Sequence, residues 1–166
     1  MQRNTRYGYA KKVTRGAIIG AMYVALTYVS SLFGLSGGVI QLRLSEMLCI
    51  LPIFMPEAIP GLYIGCLLSN ILTACLPWDI VLGSFATLIG AYGAYALRHM
   101  PHKLMWLATL PNILANAIIV PPVLIYAYGV PDGYFFTLAT VTAGEIISSG
   151  IFGAMLYYSM RKLKKV

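Results

Sequence analysis

Gln41, Arg43 and Glu46 stand in the stretch GGVIQLRLSEMLCILPIFMP, Gly37 to Pro56, at the head of an apolar segment. On a helix Arg43 and Glu46 are three residues apart and share a face. Two readings stay open. The pair neutralises itself at an interface, or it lines a pocket with Gln41 and turns spare hydrogen-bonding capacity toward a ligand. Ionisable groups inside a bilayer are expensive, so each is a functional candidate by default. Glu145, in VTAGEIISSG, has no basic neighbour in sequence. A lone buried carboxylate needs a partner from another helix, a water-filled cavity, a proton or a ligand cation. Asp79 either caps a helix N-terminus or, with the indole of Trp78 beside it, suits a planar cationic ligand. Trp78 alone also reads as an interfacial belt residue. Asn70 falls near the outer end of its helix. Asn112 and Asn116 are four residues apart on one face, where interhelical hydrogen bonding is the plainer role; Asn116 is the one nearer the outer side.

These groups need a scaffold, and the composition says which kind. The chain of 166 residues is 59% hydrophobic and 10% charged, with mean hydropathy +0.78. A soluble domain carries about 25% charged residues, so a charged surface all round is out of reach and a membrane protein is expected. Residues 1–166 read as one integral membrane domain, with basic tails at 1–13 and 161–166. The N-terminal apolar run, Ala17 to Phe33, lacks a small-x-small cleavage pattern, so it reads as a membrane helix, not a signal peptide. Cys49, Cys66 and Cys75 follow no metal-ligand or disulfide pattern and read as small buried hydrophobes.

The apolar runs and their breakers predict an all-α membrane protein built as a six-transmembrane-helix bundle. The helices fall at about Thr14–Phe33, Leu42 to before Pro56, Glu57–Cys75, Asp79–Arg98, Leu104–Tyr128 and Phe135–Met160. Gly34–Gly38, MPEAIPG, LPWD, RHMPHK and GVPDG separate them. Six spans put both termini on one side. Placing that side in the cytoplasm puts every Lys and Arg except Arg43 inside, as the positive-inside rule requires. This also disposes of nucleic acid as the partner of the +7 net charge. Glu46, Asp79, Asp132 and Glu145 then lie in the outer half, and Glu57 lies inward. An outer cavity of that sign attracts cations. His99 and His102 fall in an inner turn and read as solvated. Tyr63, Tyr92, Tyr95, Tyr126 and Tyr128 read as belt or packing residues. Ala17, Ala21 and Ala25, interleaved with Gly16 and Gly20, make a small-residue stripe for close helix approach, inside this protein or against a separate membrane subunit.

Several activities lack their residues. There is no Walker A pattern, so the chain carries no nucleotide motor of its own. No serine motif is matched by an intramembrane His, and no His/Glu metal motif occurs. No Asp-rich prenyl-transfer motif or broken-helix inverted repeat stands out. The sequence calls for no enzyme chemistry, metal or cofactor. A small binding membrane protein remains, with a proton-coupled cation exporter using Glu145 or Glu46 as the competing reading.

QLRLSEMLCILPIF, LPWDIVLGSFATLIGAYGAYALR, PNILANAIIV and GEIISSGIFGAML resemble the QueT family over nearly the whole chain. Gln-x-Arg-x-x-Glu at Gln41, Arg43 and Glu46 is the most specific part. That family consists of substrate-binding S components of energy-coupling factor (ECF) transporters. The resemblance implies a cell-membrane protein of a prokaryote. Its ligand would be the queuosine precursor 7-aminomethyl-7-deazaguanine, or another vitamin or nucleobase-like molecule. Its partners would be a transmembrane scaffold subunit and two ATPases, docked through the stripe at Ala17, Ala21 and Ala25. It implies a ligand site drawn from Gln41, Arg43, Glu46, Asn70, Trp78, Asp79, Asn116 and Glu145. On this reading one of Glu46, Asp79 and Glu145 would meet the ammonium and another the guanine edge, with Glu145 preferred for the edge and Asp79 for the ammonium. Arg43, Gln41 and Asn116 would donate to the carbonyl or orient the acids, Trp78 would cover the ring, and Gly34–Gln41 would form a lid.

Overall fold

A computed structural model describes residues 2–35 and 41–164. Helices account for almost all of them, and no strand occurs among the described residues. The expected lid, Gly34–Gln41, lies at residues 36–40 outside the described residues, as do the tail residues 165 and 166.

Six α-helices occur among the described residues: α1 (Gln2–Leu32), α2 (Ala58–Leu72), α3 (Pro77–Ala96), α4 (Leu110–Tyr126), α5 (Tyr134–Glu145) and α6 (Gly153–Lys164). A 3₁₀ helix, Leu44–Ile53, lies between α1 and α2, and another, His102–Thr109, leads into α4. A π-helical stretch, Ile146–Phe152, joins α5 to α6. Gly8–Leu32, Pro77–His99, His102–Tyr126 and Tyr134–Leu163 are each long and apolar enough to cross a membrane. The remaining two rods are shorter. Ten 3₁₀ residues make about 20 Å and fifteen α residues about 22 Å, against the ~30 Å of a hydrocarbon core.

Several boundaries differ from the sequence reading, each for a local reason. The second rod is 3₁₀ where an α-helix was expected, and Pro52 inside it has no N–H to offer an α turn. Three residues per turn stack positions i and i+3, so Arg43, Glu46 and Cys49 fall on one line. α1 begins at Gln2, so the expected basic tail runs on as helix, free of proline. Helix α3 starts at Pro77 with Leu76 as N-cap. Asp79 therefore sits in the first turn and does not cap it.

The rods pack in sequence, α1 on α2, α2 on α3, α3 on α4 and α4 on α5, with Leu44–Ile53 threaded against α1, α3, α6 and the π stretch. The α1–α2 crossing is made of glycines. A Cβ at Gly20 would stand 2.9 Å from the Gly61 carbonyl oxygen, and one at Gly65 2.8 Å from that of Gly20. Ile19, Tyr23, Leu48, Cys49, Leu62, Cys66 and Ala91 form the adjoining core. A second cluster of Ile50, Met105, Ala108 and Tyr157 closes the other end, with the Phe54 and Tyr157 rings stacked at 5.3 Å.

The bundle's two ends carry different chemistry. At one, Arg15 pairs with Glu57 at 3.2 Å. The Glu57 carboxyl is held below the ordinary glutamate range, first by its own backbone N–H and then by Arg15. His99 is exposed. His102 is also exposed, yet its Nδ1 lies 3.0 Å from the hydroxyl of buried Tyr157, so it is tethered where full solvation was expected. The opposite end holds Arg43 and Asp79.

Candidate functional site

The C-terminal part of α1, the segment entering the 3₁₀ helix, the α2–α3 turn and the end of α4 surround a cavity of about 410 Å³. Its wall includes Gln41, Arg43, Asn70, Asp79 and Tyr128, with Cys75 at the turn. A volume of this order suits a small molecule. Arg43 arrives from the N-cap position of the 3₁₀ helix in extended backbone and meets Asp79 at 3.6 Å. Its guanidinium also donates to Asn70 Oδ1 at 3.4 Å. Asn70 Nδ2 in turn reaches the Asp79 carbonyl oxygen at 3.4 Å. Gly83 makes room for this knot, since a Cβ there would lie 3.2 Å from Asp79 Oδ1 and 3.3 Å from Asn70 Nδ2. Tyr128 seals the side. Its hydroxyl donates to Asp79 Oδ2 at 3.1 Å and accepts from the Leu76 N–H at 3.0 Å. Burial, helped by the Asp79 charge, pushes the Tyr128 phenol up, so it stays a donor at neutral pH.

A second polar cluster lies deeper. Glu46, one 3₁₀ turn beyond Arg43, is 1% exposed. Its Oε1 accepts from the Tyr23 hydroxyl and, at 3.4 Å, from Thr87. Its Oε2 accepts from Asn112 Nδ2 at 2.9 Å and from Cys49 Sγ at 3.4 Å. Asn112 Nδ2 also stands 3.3 Å from Glu145 Oε2 and 3.2 Å from Ser149 Oγ. One amide thus links two buried carboxylates carried by the 3₁₀ helix and α5. Glu145 is the last residue before the π stretch. Such wide turns occur mostly as local interruptions of α-helices, often at functional sites. Gly144 leaves no room for a Cβ against the Gln41 carbonyl, so the backbone just before Glu145 packs on a residue of the cavity wall, while the Glu145 side chain is itself buried and outside the cavity lining.

The structure brings Gln41, Arg43, Asn70 and Asp79 to the cavity and sets Glu46 and Glu145 together behind it. Asn116 is buried one turn from Asn112 and donates to its carbonyl at 3.1 Å. Trp78 goes elsewhere. It is 67% exposed and lines a separate groove with Leu82, Ile119 and Tyr126. Asn112 makes the interhelical hydrogen bonds expected of it. Tyr128, expected as a belt or packing residue, bonds to Asp79, and Tyr23 and Thr87 carried no sequence signal. Only the four-residue spacing of Asn112 and Asn116 hinted at a shared polar face. Ala17, Ala21 and Ala25 are all exposed, outward of the buried Gly16 and Gly20. Ala17 and Ala21 line an apolar groove of about 570 Å³ along α1 and α2.

A model of the family described as QueT transporter matches residues 13–162. Over 74 residues the chain is 40% identical to the queuosine precursor transporter QueT of Lactococcus lactis subsp. cremoris (strain MG1363), an alignment that covers 44% of this chain and 43% of that protein. The chain thus spans less than half the length of that relative in the alignment. No solved structure matches the chain. With the family match running almost end to end over a helical bundle of membrane-crossing length, the chain belongs to the QueT transporter family.

Proposed function

We propose that this protein is the substrate-binding S component of an ECF-type importer and that it captures 7-aminomethyl-7-deazaguanine from outside the cell. The observation that carries this reading is the Arg43–Asp79 pair, set at 3.6 Å in the wall of a 410 Å³ cavity. The family membership and the printed name of the Lactococcus lactis relative support the ligand. The ligand's ammonium suits Asp79, and its ring carbonyl suits Arg43, so the two groups exchange their mutual contact for the ligand. Gln41 and Asn70 supply further polar contacts from the wall. The guanine edge, rich in N–H donors, suits Glu145 behind it. Asn116 supports that region through Asn112. Trp78 stands away from the cavity and has no part in this reading.

The cavity end then faces outward and the Arg15–Glu57 end faces the cytoplasm, in keeping with the positive-inside rule. The sequence carries no Walker A pattern, and on this reading separate ATPases and a membrane scaffold supply the energy. The exposed Ala17 and Ala21, beside a groove lined by Val13, Val24, Ile64 and Leu68, offer a flat face for such a scaffold.

Affinity purification from the native membrane tests the assembly. Two ATPases and a scaffold co-purifying, with ATP-dependent uptake, is the expected result. Proton-dependent transport by the isolated chain would instead favour a cation exporter.

A further inference from the structure

Glu46 and Glu145 face the same amide, yet their hydrogen bonding is unequal. Glu46 accepts from Tyr23, Thr87, Cys49 and Asn112. The Thr87 hydroxyl has one proton and also faces the Gly83 carbonyl at 3.2 Å, but against about four lone-pair sites on a carboxylate Glu46 is largely occupied by the protein itself. Among the described residues, the Glu145 side chain accepts from Asn112 Nδ2 alone, at 3.3 Å. It has acceptor capacity left over.

Asn112 is held in one orientation at a cost. An ionised Glu46 accepts only, so the amide turns its Nδ2 toward it. Its Oδ1 is then left buried with no hydrogen-bond partner. It points at Gly90, where any Cβ would collide with the Asn112 side chain. Leaving a buried acceptor unmade is unfavourable, and a bundle needing only packing would fill this place with an apolar residue. The amide instead ties Glu145 to a carboxylate that is itself clamped from α1, α3 and the 3₁₀ helix.

We infer that Asn112, anchored on Glu46, is a positioning residue that fixes Glu145 as the acceptor for adjacent N–H donors on a planar heterocyclic ligand, and that this selects ligands carrying an amino-amidine edge. The inference rests on the functional reading above and deepens it. Glu46 acts through Asn112 and makes no ligand contact. Glu145 is the contact. The ring donors meet its unfilled lone pairs from the Gln41 side. A ligand lacking the exocyclic amine leaves one of them without a partner.

The test is a calorimetric titration of the purified full chain with two probes, 7-aminomethyl-7-deazaguanine and the same molecule without its 2-amino group. Wild type is expected to prefer the first at least tenfold. Asn112→Leu is expected to bring that ratio below threefold, chiefly by weakening the first probe. Asn112→Ala removes the amide without adding bulk and should do the same; it decides the matter if Asn112→Leu does not fold. Equal losses for both probes would reduce Asn112 to packing and overturn the inference, as would an unchanged ratio or a wild type without preference. A wild type that binds neither probe overturns the functional reading on which the inference stands.

Discussion

Arg43 Nη2 and Asp79 Oδ2 meet at 3.6 Å in the cavity wall and join the start of the 3₁₀ helix to the first turn of α3. Their side chains are 15% and 6% exposed, so neither charge is free to relax into bulk water. Removing one partner of a buried pair costs roughly 3–5 kcal/mol, whereas replacing both by apolar groups is often neutral. Asp79→Asn and Arg43→Gln should each lower the melting temperature in detergent. The double variant Arg43→Met with Asp79→Leu should recover much of that loss while binding no ligand. Recovery of binding along with stability would show that the pair serves the fold and not the site.

Trp78 adjoins Asp79 in sequence but turns its indole out of the cavity. Trp78→Ala is therefore expected to leave ligand affinity within twofold. A tenfold loss in the same titration would place the indole over the ligand after all.

Tyr128 donates to Asp79 and accepts from the Leu76 backbone. Tyr128→Phe deletes both contacts and keeps the ring. An effect of about 1 kcal/mol, or roughly fivefold in affinity, is expected, with little change in melting temperature. Wild-type affinity would exclude the hydroxyl from the site.

Ala21 is exposed beside the α1–α2 groove, whereas Gly20 faces the Gly61 backbone. Neighbouring residues on one helix therefore predict opposite phenotypes. Ala21→Leu should abolish uptake by the assembled transporter and spare ligand binding. Gly20→Leu should lower stability by about 1–3 kcal/mol through overpacking and weaken the isolated chain. If Ala21→Leu impairs binding as much as uptake, the docking role fails.

Glu57 carries a depressed carboxyl at the other end. A group whose folded pKa lies below its unfolded value contributes stability above the unfolded value and loses it as pH falls. The contribution is small because Arg15 is half exposed. Glu57→Gln should melt slightly below wild type at pH 7, and the two curves should converge as pH drops below the ordinary glutamate range. A gap that widens on acidification would contradict the pairing.

The rods of this bundle were legible because apolar runs broken by Gly34, Pro56, Pro77 and the Val130–Gly133 turn leave little other choice. The 3₁₀ geometry of Leu44–Ile53 was not, since over ten mostly apolar residues a repeat of three and one of 3.6 look alike. Trp78 was set with Asp79 on their adjacency, but successive helical residues point about 100° apart. The interhelical bonding of Asn112 was legible, but an amide on an apolar face does not say which groups it will meet. Its role depends on Gly90, Glu46 and Glu145, which only tertiary packing brings together.

The central claim is that the cavity end takes a cationic deazaguanine, read by the acid behind its wall. It is tested most directly by titrating 7-aminomethyl-7-deazaguanine into the purified chain and into Glu145→Gln. Saturable one-to-one binding that weakens at least tenfold in the variant is the result this account predicts. Equal affinities for the two proteins would contradict it.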